Sequence, residues 1–365
     1  RLFLKELFAQ HIHYDQAQAY AVKLTRDAEL DVSAEISRSF LDKVSHGLEQ
    51  RLTAKPVRLI YDREMPKLMS DYLVQVMGFS SYDSLIPGGR YHNFKDFISF
   101  PNLGPKYLEF RPTHLVPLPF LDRNSYLSPI LQHRDLLFYY PYHSFDCFTE
   151  WLRQSAYDPN VTTIKISIYR VAGRSRVIQS LLDAAMNGKN VTVVVELQAR
   201  FDEEANVQWA QTLTASGVKV VFGDPTLKIH SKLCLICYKT QEKSYSIAHV
   251  GTGNFHEKTA RIYTDFSLLT SDPQITEEVD NVFEFIEHSY KRFDFKHLWV
   301  SPFNTRNSLY ELIDQEIATA REGQRAELQF KLNNLDDHAM IMKLYEASQA
   351  GVKIRLNIRG MCSLI

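Results

Sequence analysis

Thr163-Ile-Lys-Ile-Ser-Ile-Tyr169 and Val191-Thr-Val-Val-Val-Glu-Leu197 bracket the stretch that decides the fold, with Ser175 to Met186 and Asn187-Gly188 between them. The two apolar runs read as strands, and the middle segment has helical spacing that ends on a glycine. Outward from this unit the rhythm continues. Asp135 to Tyr140 is strand-like and Ser144 to Ala156 helical; Glu204 to Ala215 is helical and closed by Ser216-Gly217, and Val218 to Phe222 is strand-like. Strands alternating with helices of this length predict an α/β sheet with helices on its faces.

The tail follows the same order. Glu327 to Leu332, a helix from Ala339 to Ala350, Gly351 and Val352 to Ile358 repeat strand, helix, glycine, strand, with Gly351 lying 163 positions after Gly188. Duplication and the general likeness of strand-helix-strand units both account for this. The first third differs. Ser39 to Arg51 and Glu64 to Met77 predict helices, Val57 to Tyr61 a strand, and Ile86 to Lys95 a surface loop. Pro112, Pro117 and Pro119 mark a linker. Arg1 is not an initiator methionine and no signal-peptide pattern follows it, while the last residues come directly after a strand, so an internal fragment of a longer protein is expected.

The 365 residues carry 42 Lys+Arg against 43 Asp+Glu, and this balance argues against a chain coated in positive charge for duplex DNA. Hydrophobic residues at 45% and charged residues at 23% are globular proportions, which excludes a disordered or collagen-like chain. No apolar run is long enough for a membrane-spanning helix. Four cysteines, Cys147, Cys234, Cys237 and Cys362, make no disulfide framework and fit a reducing compartment.

The chemistry concentrates in Thr226-Leu-Lys-Ile-His-Ser-Lys-Leu-Cys-Leu-Ile236. Read as a strand, it puts Lys228, His230 and Lys232 on one face and Leu227, Ile229, Leu233 and Leu235 on the other. An imidazole between two ammonium groups suits an anion. The cations disfavour imidazolium and leave a ring nitrogen free to attack, and they can stabilise a phosphoryl group in transfer. A sheet-edge strand with solvated basic residues is the plainer alternative. Tyr245 to Val250 then runs into the glycine turn Gly251-Thr-Gly-Asn254, followed by Phe255-His-Glu-Lys258, where backbone N–H groups can approach phosphate and Lys258 can contact it. Neither the dinucleotide fingerprint nor the Walker spacing is met. Arg170 and Arg200 fall at the carboxyl ends of strands, where open α/β sheets bind ligands, and guanidinium forks suit phosphate.

Other groups read as structural. Cys234-Leu-Ile-Cys237 lies within a strand with its thiols on opposite faces, so packing is expected. Asp202-Glu-Glu204 could approach magnesium but suits a helix start. His249 either packs or reaches the pocket. His11, His13 and His92 are expected on the surface.

Leu227-Lys-Ile-His-Ser-Lys232 followed by Gly251-Thr-Gly-Asn254 is similar to the His-x-Lys and Gly-x-x-Asn pattern of the phospholipase D fold, although Cys237 stands where that pattern has an aspartate. Ile86-Pro-Gly-Gly-Arg-Tyr-His-Asn-Phe-Lys-Asp-Phe97, Val194 to Asn206, His249 to Asn254, Lys258-Thr-Ala-Arg-Ile-Tyr-Thr-Asp265 and Arg359-Gly-Met-Cys-Ser-Leu364 resemble the polyphosphate kinase family, the large histidine-phosphorylating type. That resemblance implies an α+β head domain over 1–125, a first phospholipase D-like α/β catalytic domain over 126–300 with a mixed sheet flanked by helices, and the start of a second from 301.

It implies reversible transfer of the terminal phosphoryl group of ATP to polyphosphate through a phosphohistidine at His230. Lys232 would assist catalysis, and Lys228, Asn254, Lys258, Tyr263 and Arg359 would contact phosphate or nucleotide. Arg170 and Arg200 would serve the magnesium (Mg2+) site through phosphate oxygens, since a guanidinium cannot ligate a cation. A second histidine is expected beyond residue 365, so this stretch alone is expected to be inactive. A dimer or tetramer, a cytoplasmic setting with at most peripheral membrane association, and no nucleic-acid partner are the accompanying expectations. A phospholipase D-like phosphodiesterase or nuclease and a non-catalytic polyanion-binding module remain the alternatives.

Overall fold

The computed structural model describes residues 18–27, 54–92, 94–111, 113–118, 125–173, 175–196, 203–224 and 227–365. Strands β1 (Val22–Arg26) and β2 (Pro56–Asp62), helix α1 (Lys67–Val76) and strand β3 (Ser84–Gly88) build a three-stranded sheet of order β1-β2-β3, with β1 antiparallel and β3 parallel to β2. Ile86-Pro-Gly is therefore paired strand rather than loop. Pro87 stands opposite Tyr61 on an outer strand, the place where a missing N–H is tolerated. Helix α1 starts three residues later than its periodicity predicts, because Pro66 is extended (φ −55°, ψ 138°) and disfavours helix in Met65 before it. His92, expected on the surface, is half-buried with Nε2 3.1 Å from the Ala21 carbonyl oxygen. The helix predicted at 39–51 and the histidines at 11 and 13 lie outside the described residues.

The main body follows. Helix α2 (Leu127–Leu131), strand β4 (Leu136–Tyr140), helix α3 (Asp146–Tyr157), strand β5 (Val161–Ile168), helix α4 (Arg176–Met186) and strand β6 (Asn190–Val195) come first. Helix α5 (Glu203–Ala215), strands β7 (Lys219–Val221), β8 (Lys232–Lys239), β9 (Ser244–Gly251) and β10 (Asp265–Thr270) and helix α6 (Pro273–Glu287) complete it. The seven strands lie in the order β4-β10-β9-β8-β5-β6-β7. Strands β5, β6 and β7 are parallel, and the ladders from β5 through β8, β9 and β10 to β4 are antiparallel. Phe148, Trp151 and Leu152 of α3 and Val177, Ile178 and Leu181 of α4 pack with Ile164, Ile166 and Ile168 of β5 in one core. Each such side chain contributes roughly 1.5–3 kcal/mol. Val279, Val282 and Phe283 of α6 cover the other face against Leu233, Leu235 and Ala248. With both faces covered, the carboxyl ends of β5 and β6 are where functional groups can emerge.

Helix α7 (Thr305–Arg321), strand β11 (Glu327–Leu332), helix α8 (His338–Gln349) and strand β12 (Lys353–Ile358) form the last unit, with β11 and β12 parallel. Its helix stop matches that of α4. Gly188 (φ 75°) bonds to the Ala185 carbonyl and Lys189 to that of Ala184; Gly351 (φ 96°) bonds to Ser348 and Val352 to Ala347. Both glycines occupy the left-handed conformation that ends a helix. Strand β12 also follows β6 at a spacing of 163 residues. The first strands do not keep that spacing: Thr163 pairs with Asn190, whereas Glu327 pairs with Lys353, so the last unit is one residue shorter, its passage from strand to helix being two residues shorter and its helix 12 residues against 11. Among the described residues no helix is long and apolar enough to cross a membrane.

Between α6 and α7 the chain is fastened by Glu278. Its carboxylate, 7% exposed, accepts N–H bonds from Lys296 (2.8 Å), His297 (3.0 Å) and Leu298 (2.7 Å) and lies 3.0 Å from His297 Nδ1. Burial raises its pKa, the backbone donors and the imidazole lower it, and the net direction is downward. A carboxylate with a depressed folded-state pKa stabilises the fold above its ordinary pKa, and that contribution fades as pH falls through the folded value. Glu278→Ala should therefore cost about 2–4 kcal/mol near neutrality, because it strands buried donors. The deficit should shrink in acid. Urea unfolding of both proteins across this range measures it; an equal deficit at every pH would contradict the role given to the charge.

Candidate active site

Strand β5 ends at Ile168, and the next two residues, Tyr169 and Arg170, stand at its carboxyl end. Beside them runs the segment that enters β8. Two anchors hold it. The Ile229 N–H donates to Glu196 Oε2 (2.8 Å) just beyond β6, and Ser167 Oγ donates to the Ser231 carbonyl (2.9 Å) while accepting from the Leu233 N–H (3.0 Å). Regular strand begins only at Lys232, so the alternation predicted for Lys228, His230 and Lys232 does not apply. The cause is the side-chain anchoring, which takes the place of a ladder over 227–231. Leu227 is exposed instead of packed, whereas Ile229 does pack beneath α6.

The three residues nevertheless converge, on a group that sequence reading did not single out. The Tyr169 ring has Lys228 Nζ at 5.5 Å, Lys232 Nζ at 5.3 Å and Arg170 Cζ at 5.5 Å from its centroid. The His230 ring meets it edge-on at 4.8 Å and 82°. Cation–π attraction lets one ring gather charges that repel each other. His230 keeps an exposed face; the desolvation of its covered side lowers its pKa most, and the charges of Lys232, Lys228 and Arg170 lower it further, which favours the neutral imidazole. Lys232 is only 5% exposed, and its ammonium donates to the His230 carbonyl. Burial brings its pKa down to about 8, Asp265 raises it, and Arg170 lowers it.

Asp265 was also missed, since it comes from β10. Thr252 Oγ1 donates to its Oδ1 (2.9 Å), and a Cβ at Gly253 would fall 2.5 Å from its Oδ2. A Cβ at Gly251 would likewise lie 2.5 Å from His249 Cε1. These glycines thus make room for side chains, a reason distinct from phosphate approach. His249 packs between Phe148 (4.8 Å) and Phe255 (5.0 Å), and burial lowers its pKa to about 3. It is a core histidine.

The remaining predicted groups are more dispersed. Asn254 is half-buried with Oδ1 sealed from solvent and unbonded, Lys258 is exposed, and Tyr263 is half-exposed. Arg359 is exposed beyond β12. A hydrogen bond from Lys331 Nζ of β11 to Thr264 Oγ1 (2.7 Å) brings the last unit beside Tyr263. Arg200 and Asp202 lie outside the described residues. Cys234 and Cys237 pack in opposite cores, as predicted. Among the described residues no group of three or more His, Cys, Asp or Glu side chains could hold a metal ion. The groups around His230 are cationic, a donor set for phosphate oxygens rather than for bare Mg2+.

Comparison with known proteins is consistent along the chain. Residues 1–100 match the polyphosphate kinase middle domain, 127–292 the polyphosphate kinase C-terminal domain 1 and 298–365 the C-terminal domain 2. A polyphosphate kinase from Vibrio parahaemolyticus is 56% identical over 100% of this chain and 52% of its own length, and one from Escherichia coli K12 is 51% identical over 100% and 53%. The crystal structure of polyphosphate kinase from Porphyromonas gingivalis superposes with a TM-score of 0.76 at 32% identity, over 99% of this chain and 52% of that one. The chain thus spans about half the length of the relatives it matches.

The Tyr169 ring makes its own prediction. Tyr169→Ala should hydrate His230 and return its pKa toward the ordinary 6.5, while Tyr169→Phe keeps the ring and leaves it low. Proton NMR titration of the His230 ring distinguishes them, and an unchanged value in Tyr169→Ala would remove the ring from this role.

Proposed function

The chain belongs to the polyphosphate kinase family, and we propose that the full-length protein transfers the terminal phosphoryl group of ATP reversibly to inorganic polyphosphate through a phosphohistidine at His230. The observation that carries this reading is the imidazole gathered with Arg170, Lys228 and Lys232 around one tyrosine ring, where burial and charge lower its pKa. In the first step the lone pair of a ring nitrogen attacks the γ-phosphorus, and the bond from phosphorus to the bridging oxygen breaks with its electrons leaving on ADP. In the second, a terminal oxygen of polyphosphate attacks the same phosphorus and the phosphorus–nitrogen bond returns its pair to His230. Lys232 and its neighbours stabilise the charge that spreads over the phosphoryl oxygens.

The remaining roles follow from this chemistry. Arg170 and Arg200 hold phosphate oxygens, and Mg2+, when bound with the nucleotide, would neutralise phosphate charge there. Lys228, Asn254 and Lys258 contact phosphate; Tyr263 and Arg359 contact the nucleotide. We assign 1–125 to a head domain, 126–300 to the first catalytic domain and 301–365 to the start of the second. A homo-oligomer in the cytoplasm, with at most peripheral membrane contact and no nucleic-acid partner, completes the proposal.

Full-length protein incubated with γ-labelled ATP and Mg2+ should acquire acid-labile, base-stable label at His230. His230→Ala should lose it and turn over at least about a thousandfold more slowly. Absence of label in wild type, with ATP binding intact, would favour a phosphodiesterase or a binding module instead.

The pH dependence has a defined sign. The reactive forms are neutral His230, populated above its lowered pKa, and protonated Lys232, populated below about 8. The labelling rate should therefore persist into mild acid and fall as pH rises through about 8. Lys232→Arg, which keeps its proton, should move the alkaline fall upward. An unmoved alkaline limb would assign it to another group.

A further inference from the structure

Glu257 lies in the turn between the two phosphate candidates Asn254 and Lys258, and its side chain reaches the start of α4. Its Oε1 accepts the Arg176 N–H at 2.9 Å and lies 3.4 Å from Ser175 Oγ. Ser175 Oγ in turn accepts from the Ile178 N–H at 3.5 Å. Two first-turn donors of α4 therefore have partners, one from its own cap and one from a segment about 80 residues away in sequence. The other carboxylate oxygen, Oε2, is sealed from solvent with no hydrogen bond. An unbonded buried acceptor is costly, and the positive end of α4 is the feature that offsets it.

The placement matters because a helix start that follows a strand carboxyl end is a natural anion cradle. Strand β5, Arg170 and α4 have that arrangement, but the protein's own carboxylate fills the cradle. The neighbour of Glu257 is also pinned: Phe255, 2% exposed, stacks on Phe148 of α3 at 4.7 Å and 18°. The turn thus has two attachments, one apolar to α3 and one polar to α4.

We infer that Glu257 is a positioning residue, whose carboxylate clasps the start of α4 and so fixes Asn254 and Lys258 on one side relative to Arg170 and His230 on the other. Its effect on chemistry rests on the phosphohistidine reading above; the clasp itself does not.

Full-length Glu257→Ala and Glu257→Gln test it. The glutamine retains an acceptor for the Arg176 N–H, and added formate can occupy the space vacated in the alanine variant. At saturating ATP, Glu257→Ala should slow phosphohistidine formation by about tenfold or more, as misplaced catalytic groups do. Either the glutamine variant or formate should restore much of the rate. A wild-type rate in Glu257→Ala overturns the inference, as does an equal deficit in both variants that formate does not relieve. Amide hydrogen exchange at Arg176 reads the clasp without any chemistry and should accelerate in Glu257→Ala; unchanged exchange there overturns the inference even if label never forms on wild-type His230.

Discussion

A buried ammonium group governs the architecture of the site. Lys232 begins β8 with almost no solvent contact, and a charge removed from water costs several kcal/mol unless partners replace the lost hydration. Three partners do so here: the His230 carbonyl, the Tyr169 face and the field of Asp265. Each constrains something further. The carbonyl contact folds 230–232 back on itself, the ring gathers Lys228 and Arg170, and Asp265 requires a residue without a side chain at Gly253. The setting of His230 beside that ring follows from neutralising its neighbour.

Local periodicity carried most of the sheet. The strands and helices that were predicted between Leu136 and Ile358 fall within a few residues of their limits, the entry to β8 excepted, because repeated apolar positions and the glycines at 188 and 351 are signals held within one element; β10, α6 and α7 were not predicted. Pro87 failed in the opposite direction, since only the position of β3 at the outside of its sheet makes proline acceptable there. Polar fasteners were illegible for a different reason. Glu257 reaches Arg176, Glu278 reaches Lys296 to Leu298, and Asp265 reaches across from β10; each bond closes over a sequence distance at which a charged residue looks merely solvated.

At the site, residue types were easier to read than their arrangement. His230, Lys228, Lys232 and Arg170 were legible as a set, and they do converge on one ring, but the strand expected to align them gives way to a looped entry held by Ser167 and Glu196. Tyr169 was visible beside Arg170 and carried no separate signal, because an aromatic at a strand end usually signifies packing. The depression of the His230 pKa follows the predicted direction, with burial contributing more than the cations.

The one-residue difference between the two strand-helix-strand units has a consequence for how they divide labour. Aligned by strand register, Tyr169 and Arg170 correspond to Asn333 and Asn334, and Glu196 to Arg359. The backbone joints are conserved in kind: the Glu196 N–H donates to the Ile168 carbonyl (3.0 Å), and the Arg359 N–H to that of Leu332 (3.1 Å). The chemistry is inverted. Where the first unit presents an aromatic ring and a guanidinium, the second presents two amides, and Asn334 is already engaged with the Met361 N–H (2.9 Å). Where the first has a carboxylate turned inward, the second has a cation turned outward. A single scaffold used twice thus yields two unlike surfaces, and asymmetry of function requires no asymmetry of fold.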